Sequence, residues 1–288
     1  MTKVALFAFV VLLTMQPSAN ANPSPPPSTN APPNIIFMMA DQLRWDAISH
    51  LRNDNNSAFL TPSLDRLAKE GATVTHSYSS TPTCTPARAA ILTGQSPWNH
   101  GMLGYGVVAP RYPIEFPRVL SDSGQWTTAS VGKDHFGWNA TDNQGINHGY
   151  QTTTLYDGLG GWDETMPHNH TGEFDDYDQW FAAVMPGKDP QATLDGFDGN
   201  GWNGWNGKAF VYDEYYHPTA WVGRRAVTFL RAHAAAVKAA ATEPSPPKPF
   251  LLKVSFPFTW LYIDSLILLF PGPNSYTGDD LAEFHVHG

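Results

Sequence analysis

The spacing of apolar and polar positions divides the chain into segments of different period. Lys3 precedes an unbroken apolar run from Val4 to Met15, and Ala19-Asn20-Ala21 supplies the small residues of a cleavage site. A run of that length with those flanks has the pattern of a secretory signal peptide and is too short to span a bilayer. Residues 1–21 are therefore expected to stand outside the fold. Residues 22–33, rich in Pro, Ser and Asn, are expected to form a disordered leader without an apolar face. Folding is expected over residues 34–256.

Ile35 to Ala40 is continuously apolar over the length of a strand buried on both faces, and it stops abruptly at Asp41-Gln42. From Thr61 to Gly71 the period becomes helical, with a cap at Thr61, Pro62 at the first position and a glycine stop. Ala72 to Tyr78 alternates and predicts a strand. Glu115 to Ser123, closed by Gly124, predicts a helix, and Trp126 to Val131 a strand. Apolar residues from Thr219 onward keep helical spacing into an alanine-rich stretch ending near Ala241; a proline-rich turn then leads to the strand Phe250–Phe256. Strands alternating with helices predict a doubly wound α/β domain. Between Asp157 and Tyr216 little periodicity survives, which predicts long loops. Trp162, Trp180, Trp202 and Trp205 in that region are able to stack on sugar rings, but packing in local clusters is the favoured reading.

One short segment changes this picture from fold to chemistry. Cys84-Thr85-Pro86-Ala87-Arg88 opens a helix: Thr85 is a good cap, Pro86 suits the first position, and Gly94 is a left-handed stop. Cys84 then sits where unpaired N–H groups and the positive end of the helix dipole converge, and Arg88, four residues on, shares its face. That geometry suits an anion. The plainer alternative is a small buried hydrophobe beside a surface charge. A second group lies after the strand ending at Val131: in Gly132-Lys133-Asp134-His135, an extended backbone points Lys133 and His135 to one side and Asp134 to the other. Asp41, at the carboxyl end of its strand, is placed to hold a hard cation or simply to cap the next segment.

Charge and cysteine usage narrow the options. A formal net charge of −9 and a pI near 5.6 argue against a nucleic-acid surface. The single cysteine cannot form an internal disulfide, so it is either inert and buried or present for its reactivity. Asn55, Asn139 and Asn169 begin glycosylation sequons. His100, His148, His168 and His170 lie in Gly-, Asn- and Trp-rich stretches and, like His285 and His287, carry no assigned role.

The Cys84-x-Pro86-x-Arg88 pattern, followed by an apolar turn and Thr93-Gly94, resembles the signature of the type I sulfatases, formylglycine-dependent members of the alkaline phosphatase superfamily. Gly132-Lys133-x-His135 matches that family's second signature, and Asp41-Gln42 the place of its first metal ligands, although Asp-Asp is the commoner pair and Gln42 leaves less negative charge. The resemblance runs from about Pro33 to about Phe256. It implies a three-layer α/β core with a mostly parallel sheet. It also implies a formylglycine-generating enzyme that converts Cys84, and a site in which Cys84, Arg88, Lys133 and His135 are catalytic. His135 would be the base and Lys133 would stabilise charge, while Asp41, Gln42 and the modified Cys84 would hold Ca²⁺. The implied substrate is a sulfated small molecule or glycan, and the implied location a secreted or lysosome-like compartment, with no membrane span.

Past Phe256 the resemblance stops. Residues 257–288 read as a divergent tail, with Asp264 inside an apolar run, and the family's remaining metal ligands and second lysine have no counterpart there. The core is accordingly expected to be incomplete at its C-terminal end, and hydrolysis feeble or absent. A phosphonate or phosphate monoester hydrolase of the same superfamily, and a non-catalytic secreted fragment that binds sulfated glycans, are the alternative readings.

Overall fold

The structure, a computed structural model, describes residues 7–12, 32–41, 43–51, 60–106, 108–135, 147–157, 175–190, 210–240 and 247–257. The apolar runs become strands: β1 (Phe7–Leu12), β2 (Ile35–Ala40), β3 (Thr127–Gly132), β4 (Thr152–Leu155) and β5 (Phe250–Phe256). They form one sheet in the order β1-β2-β5-β3-β4, parallel except for β1. Strand β5 is central and buried at every position, Lys253 and Ser255 included.

Alternate residues of these strands serve two helical layers. Ile36, Met38, Leu252 and Val254 face one layer, where helix α1 (Pro62–Glu70) contributes Leu64, α5 (Asp176–Val184) Tyr177 and Phe181, and α6 (Pro218–Ala239) Trp221 and Val222. Phe37, Met39 and Leu251 face the other, where α2 (Cys84–Thr93) contributes Ala89 and Leu92 and α4 (Phe116–Asp122) packs Phe116 and Leu120 behind them. The short α3 (Pro97–His100) follows α2. The three-layer, mostly parallel α/β core is therefore present over the described residues.

The chain departs from expectation in four places. Ala72–Tyr78 is not a strand but an exposed segment, with Val74 68% and Tyr78 80% accessible; its alternation finds no partner strand. The stretch expected to be loops contains α5, and β4, just before it, was not foreseen. Helix α5 is capped by Asp175 and buries Tyr177 and Phe181 one turn apart, a period hidden among acidic neighbours. Phe7–Leu12, inside the expected signal peptide, pairs antiparallel with β2 from Phe7↔Ala40 to Leu12↔Ile35, because an apolar run of strand length can satisfy an otherwise open edge. Helix α2 starts two residues early, as described below. Trp180 packs among Tyr216, Phe181 and Trp221, in keeping with a packing role. Trp162, Trp202, Trp205, the three sequons, His168, His170 and the tail from residue 258 lie outside the described residues.

Helix α6 begins at an imidazole cap: His217 Nδ1 accepts from Thr219 N at 3.2 Å. Burial pushes the His217 pKa down to about 4, with the charge of Glu214 opposing. The unfolded chain therefore binds a proton below about pH 6.5 that the folded chain refuses, so stability is lost as pH falls through the window from 6.5 to 4. Protonation also removes the accepting lone pair, and a lost cap costs roughly 1 kcal/mol. In thermal unfolding, His217→Asn, which keeps an acceptor but does not titrate, is expected to lose less stability between pH 7 and 4.5 than the parent. Parallel losses in the two proteins would contradict this assignment.

Candidate active site

The carboxyl ends of β2, β3 and β5 meet the amino end of α2. Asp41 continues the β2 ladder, its N–H donating to Phe256 O at 3.0 Å, and its side chain is buried beyond the last strand residue. Thr83 is extended (φ −124°, ψ 138°) and takes the cap position expected for Thr85, so Cys84 is itself the first residue of the helix. The reason is the Ala87 N–H, which reaches back to Thr83 O at 3.1 Å, two residues earlier than a Thr85 cap allows. Gly94 closes the helix in the left-handed region.

Three sequence-distant groups converge on the Asp41 carboxylate. Lys133 Nζ donates to Oδ2 at 2.5 Å, Arg88 Nη2 lies 3.9 Å from Oδ1, and the Cys84 thiol is 3.7 Å from Oδ1. Arg88 is buried, and its Nη1 donates to Lys133 O at 2.6 Å and to Ser255 Oγ at 3.1 Å. The turn that delivers Lys133 needs a glycine: Gly132 has φ +95°, and a Cβ there would come within 2.0 Å of Ser255 O. The backbone then tightens again at His135 (φ +58°), and the N–H groups of Asp134 and His135 both donate to Asp157 Oδ1 at 2.8 and 3.0 Å. Lys133 accordingly points to Asp41 and Asp134 turns away, toward Ser130 and Lys253. The His135 ring meets the Tyr105 hydroxyl through Nε2 at 3.2 Å.

Protonation states follow from burial. Burial pushes the Cys84 thiol up, and the Asp41 charge adds to this against the opposing Lys133 and Arg88. Cys84 is thus a protonated thiol at neutral pH, a poor nucleophile as it stands. Burial, reinforced by Lys133, Arg88 and Lys253, pushes His135 down to about 2, which keeps its imidazole neutral and able to accept a proton.

Of the residues singled out in the sequence, Asp41, Cys84, Arg88, Lys133 and His135 are brought together; Gln42 lies outside the described residues. Tyr105, Asp157, Ser255 and Lys253 were not foreseen. Lys253 carried a signal, since a cation inside an apolar strand is costly, and Asp157 follows a strand end as Asp41 does. Nothing in the sequence pointed to Tyr105. Among the described residues, no three His, Cys, Asp or Glu side chains are grouped to hold a metal ion. Asp41 is the one carboxylate at Cys84 and is already matched by Lys133 and Arg88. A hard divalent cation takes six to eight oxygens, so the described donors do not fit it.

A family model for sulfatases matches residues 33–231, more than half of the chain. The chain belongs to the sulfatase family. It is 31% identical over 228 residues to the arylsulfatase of Clostridium perfringens (strain 13 / Type A), covering 78% of this chain and 42% of that protein. To the steryl-sulfatase of Mus musculus it is 36% identical over 159 residues, or 48% of this chain and 25% of the relative. A solved structure in complex with its substrate D-glucosamine-2-N,6-O-disulfate aligns over 86% of this chain and 40% of its own at 22% identity, with a TM-score of 0.47, too slight a likeness to carry an argument. The sulfatase chain described here thus spans less than half the length of these relatives. Among the described residues, no helix is long and apolar enough to cross a membrane.

Asp41→Asn is expected to remove the carboxylate effect on the thiol while leaving Lys133 and Arg88 in place. The Cys84 pKa then falls, and alkylation of this single cysteine by iodoacetamide at pH 7.5 quickens, threefold for roughly each half unit. Leaving buried Lys133 unpaired should also cost about 3 kcal/mol in denaturant unfolding. An unchanged alkylation rate would contradict the geometry around Asp41.

Proposed function

We propose that this chain carries the nucleophile half of a sulfatase that hydrolyses sulfate esters through a formylglycine made from Cys84. The reading is supported above all by one observation: a protonated, helix-terminal thiol that is useless as a thiolate nucleophile faces Asp41 with Lys133 and Arg88 around it. Oxidation of Cys84 by a formylglycine-generating enzyme, with dioxygen as oxidant and loss of the cysteine sulfur, supplies an aldehyde whose hydrate offers two hydroxyls: one attacks the ester sulfur and displaces the alcohol, the other loses its proton to re-form the carbonyl and expel sulfate. Arg88 and Lys133 then hold the sulfuryl oxygens and the negative charge that grows on them. His135, kept neutral by burial, takes the proton from the second hydroxyl, and Tyr105 orients its ring.

Charge favours sulfate over phosphate. Around Cys84 stand two cations, Arg88 and Lys133, and one carboxylate, Asp41, a formal sum of plus one. A sulfate monoester carries one negative charge and balances it; a phosphate monoester dianion does not. The calcium ion implied by the family would take Asp41 and Gln42 as its first ligands. The donors among the described residues do not complete such a shell. We further propose residues 1–21 as a cleaved secretory signal peptide, residues 22–33 as a Pro/Ser-rich leader, residues 34–256 as a partial sulfatase N-terminal (catalytic) domain and residues 257–288 as a divergent tail. A secreted or lysosome-like location and a sulfated small molecule or glycan as substrate follow.

Co-expression with a formylglycine-generating enzyme tests the first step. Peptide mass spectrometry is expected to find an aldehyde at residue 84 instead of a thiol, and an unmodified thiol would count against the proposal. The converted protein is expected to turn over aryl sulfate in preference to aryl phosphate, and Cys84→Ala to abolish both. A preference for aryl phosphate would favour the phosphohydrolase alternative.

A further inference from the structure

Beneath the site lies a second ionic cluster with no part in the reaction just described. Lys253, in the middle of β5, pairs in register with Phe37 of β2 and Ser130 of β3 and faces α2. Its Nζ donates to Asp134 Oδ1 at 2.6 Å and reaches Lys133 O at 3.3 Å; Ser130 Oγ donates to the same Asp134 oxygen. Lys253, Asp134 and Ser130 are all buried. Lys253 lines a small cavity with Arg88, Met39, Leu92, Phe116 and Tyr150, so apart from Arg88 its neighbours there are those of a largely apolar core position.

Stability does not account for this pair. Replacing a buried ion pair by apolar residues of similar volume is often neutral or stabilising, because desolvation offsets the attraction. The neighbouring positions on that face, Phe37, Met39 and Leu251, show what such a position ordinarily holds. What distinguishes Lys253 is its reach. Together with Arg88 Nη1, at 2.6 Å, it grips the carbonyl of Lys133, and it anchors the side chain of the next residue. The 133–135 segment is thus held at the Lys133 carbonyl by two cations, at Asp134 by Lys253, and at the N–H groups of Asp134 and His135 by Asp157. Its two outward side chains are the ones that reach Asp41 and Tyr105.

We propose that Lys253 is a positioning residue of this site: through Asp134 and the Lys133 carbonyl it fixes the turn that aims Lys133 at Asp41 and His135 at the Tyr105 hydroxyl. The proposal takes the sulfatase reading as its frame, but its geometric content is independent of turnover. A Lys253→Met variant strands the Asp134 charge and is expected to unfold more readily, which by itself would show only charge compensation. The deciding protein is therefore Lys253→Met/Asp134→Asn, in which no buried charge is left unpaired.

Hydrogen exchange by mass spectrometry on a peptide covering residues 127–135 reads the turn directly, with peptides from α6 as the control. The double variant is expected to exchange at the turn roughly tenfold faster than the parent while the α6 peptides keep their protection. Parent-like exchange at the turn would overturn the proposal and leave Lys253 as a counter-ion to Asp134. In converted protein, the accompanying expectation is a fall in kcat of about tenfold with KM within twofold, since misaimed groups weaken the transition state more than substrate binding. A rise in KM with kcat unchanged would also overturn it. If the converted parent shows no turnover, as its missing metal ligands would explain, the exchange measurement alone decides the role of Lys253, while the sulfatase reading is decided by the state of residue 84.

Discussion

The contact on which the rest of this structure depends is the one between Asp41 and Lys133. It joins the residue after β2 to the residue after β3 across the end of the central strand β5, which lies between them. Both partners are almost wholly buried, and an isolated charge in either place would cost several kcal/mol. The pair therefore ties the sheet edge to the chemistry. Cys84 can face a carboxylate without repulsion only because its thiol keeps its proton, and the carboxylate can be buried only because two cations answer it.

The same matching of charges extends downward. Arg88 bonds the Lys133 carbonyl as well as facing Asp41, and Lys253 bonds that carbonyl while holding Asp134. A single peptide group thus connects the charged layer around Cys84 to the Lys253–Asp134 layer beneath it. Helix α2 contributes to both, its first residue to the upper layer and its fifth to the carbonyl between them, which is why a cysteine and an arginine spaced by one turn belong together.

Much of this was legible before any coordinates, for definite reasons. β2, β3 and β5 are buried on both faces, so their composition alone declares them, and the residues just after β2 and β3 land at the strand ends where α/β proteins build sites. Cys84 and Arg88 were readable from local helix signals, even though the cap fell on Thr83 and not Thr85. Other features were not. The alternation of Ala72–Tyr78 is a local property, whereas a strand needs a partner. The short α5 hides its buried Tyr177 and Phe181 behind acidic and aromatic neighbours. Tyr105 reaches His135 from a loop whose path no period encodes. Lys253 stood in plain view as a cation within an apolar strand, but its partner Asp134 emerged only when the turn at Gly132 was seen to send that side chain back toward the sheet.

The central claim is that residue 84 attacks sulfur, and a Cys84→Ser variant tests it most directly. A serine hydroxyl placed where the thiol stands can attack sulfur and release the alcohol, but it lacks the second hydroxyl through which the aldehyde hydrate would expel sulfate. After incubation with an aryl sulfate, peptide mass spectrometry is predicted to find one sulfate esterified to residue 84, with turnover halted. Sustained turnover by the serine variant, or a sulfate ester on some other residue, would contradict the account.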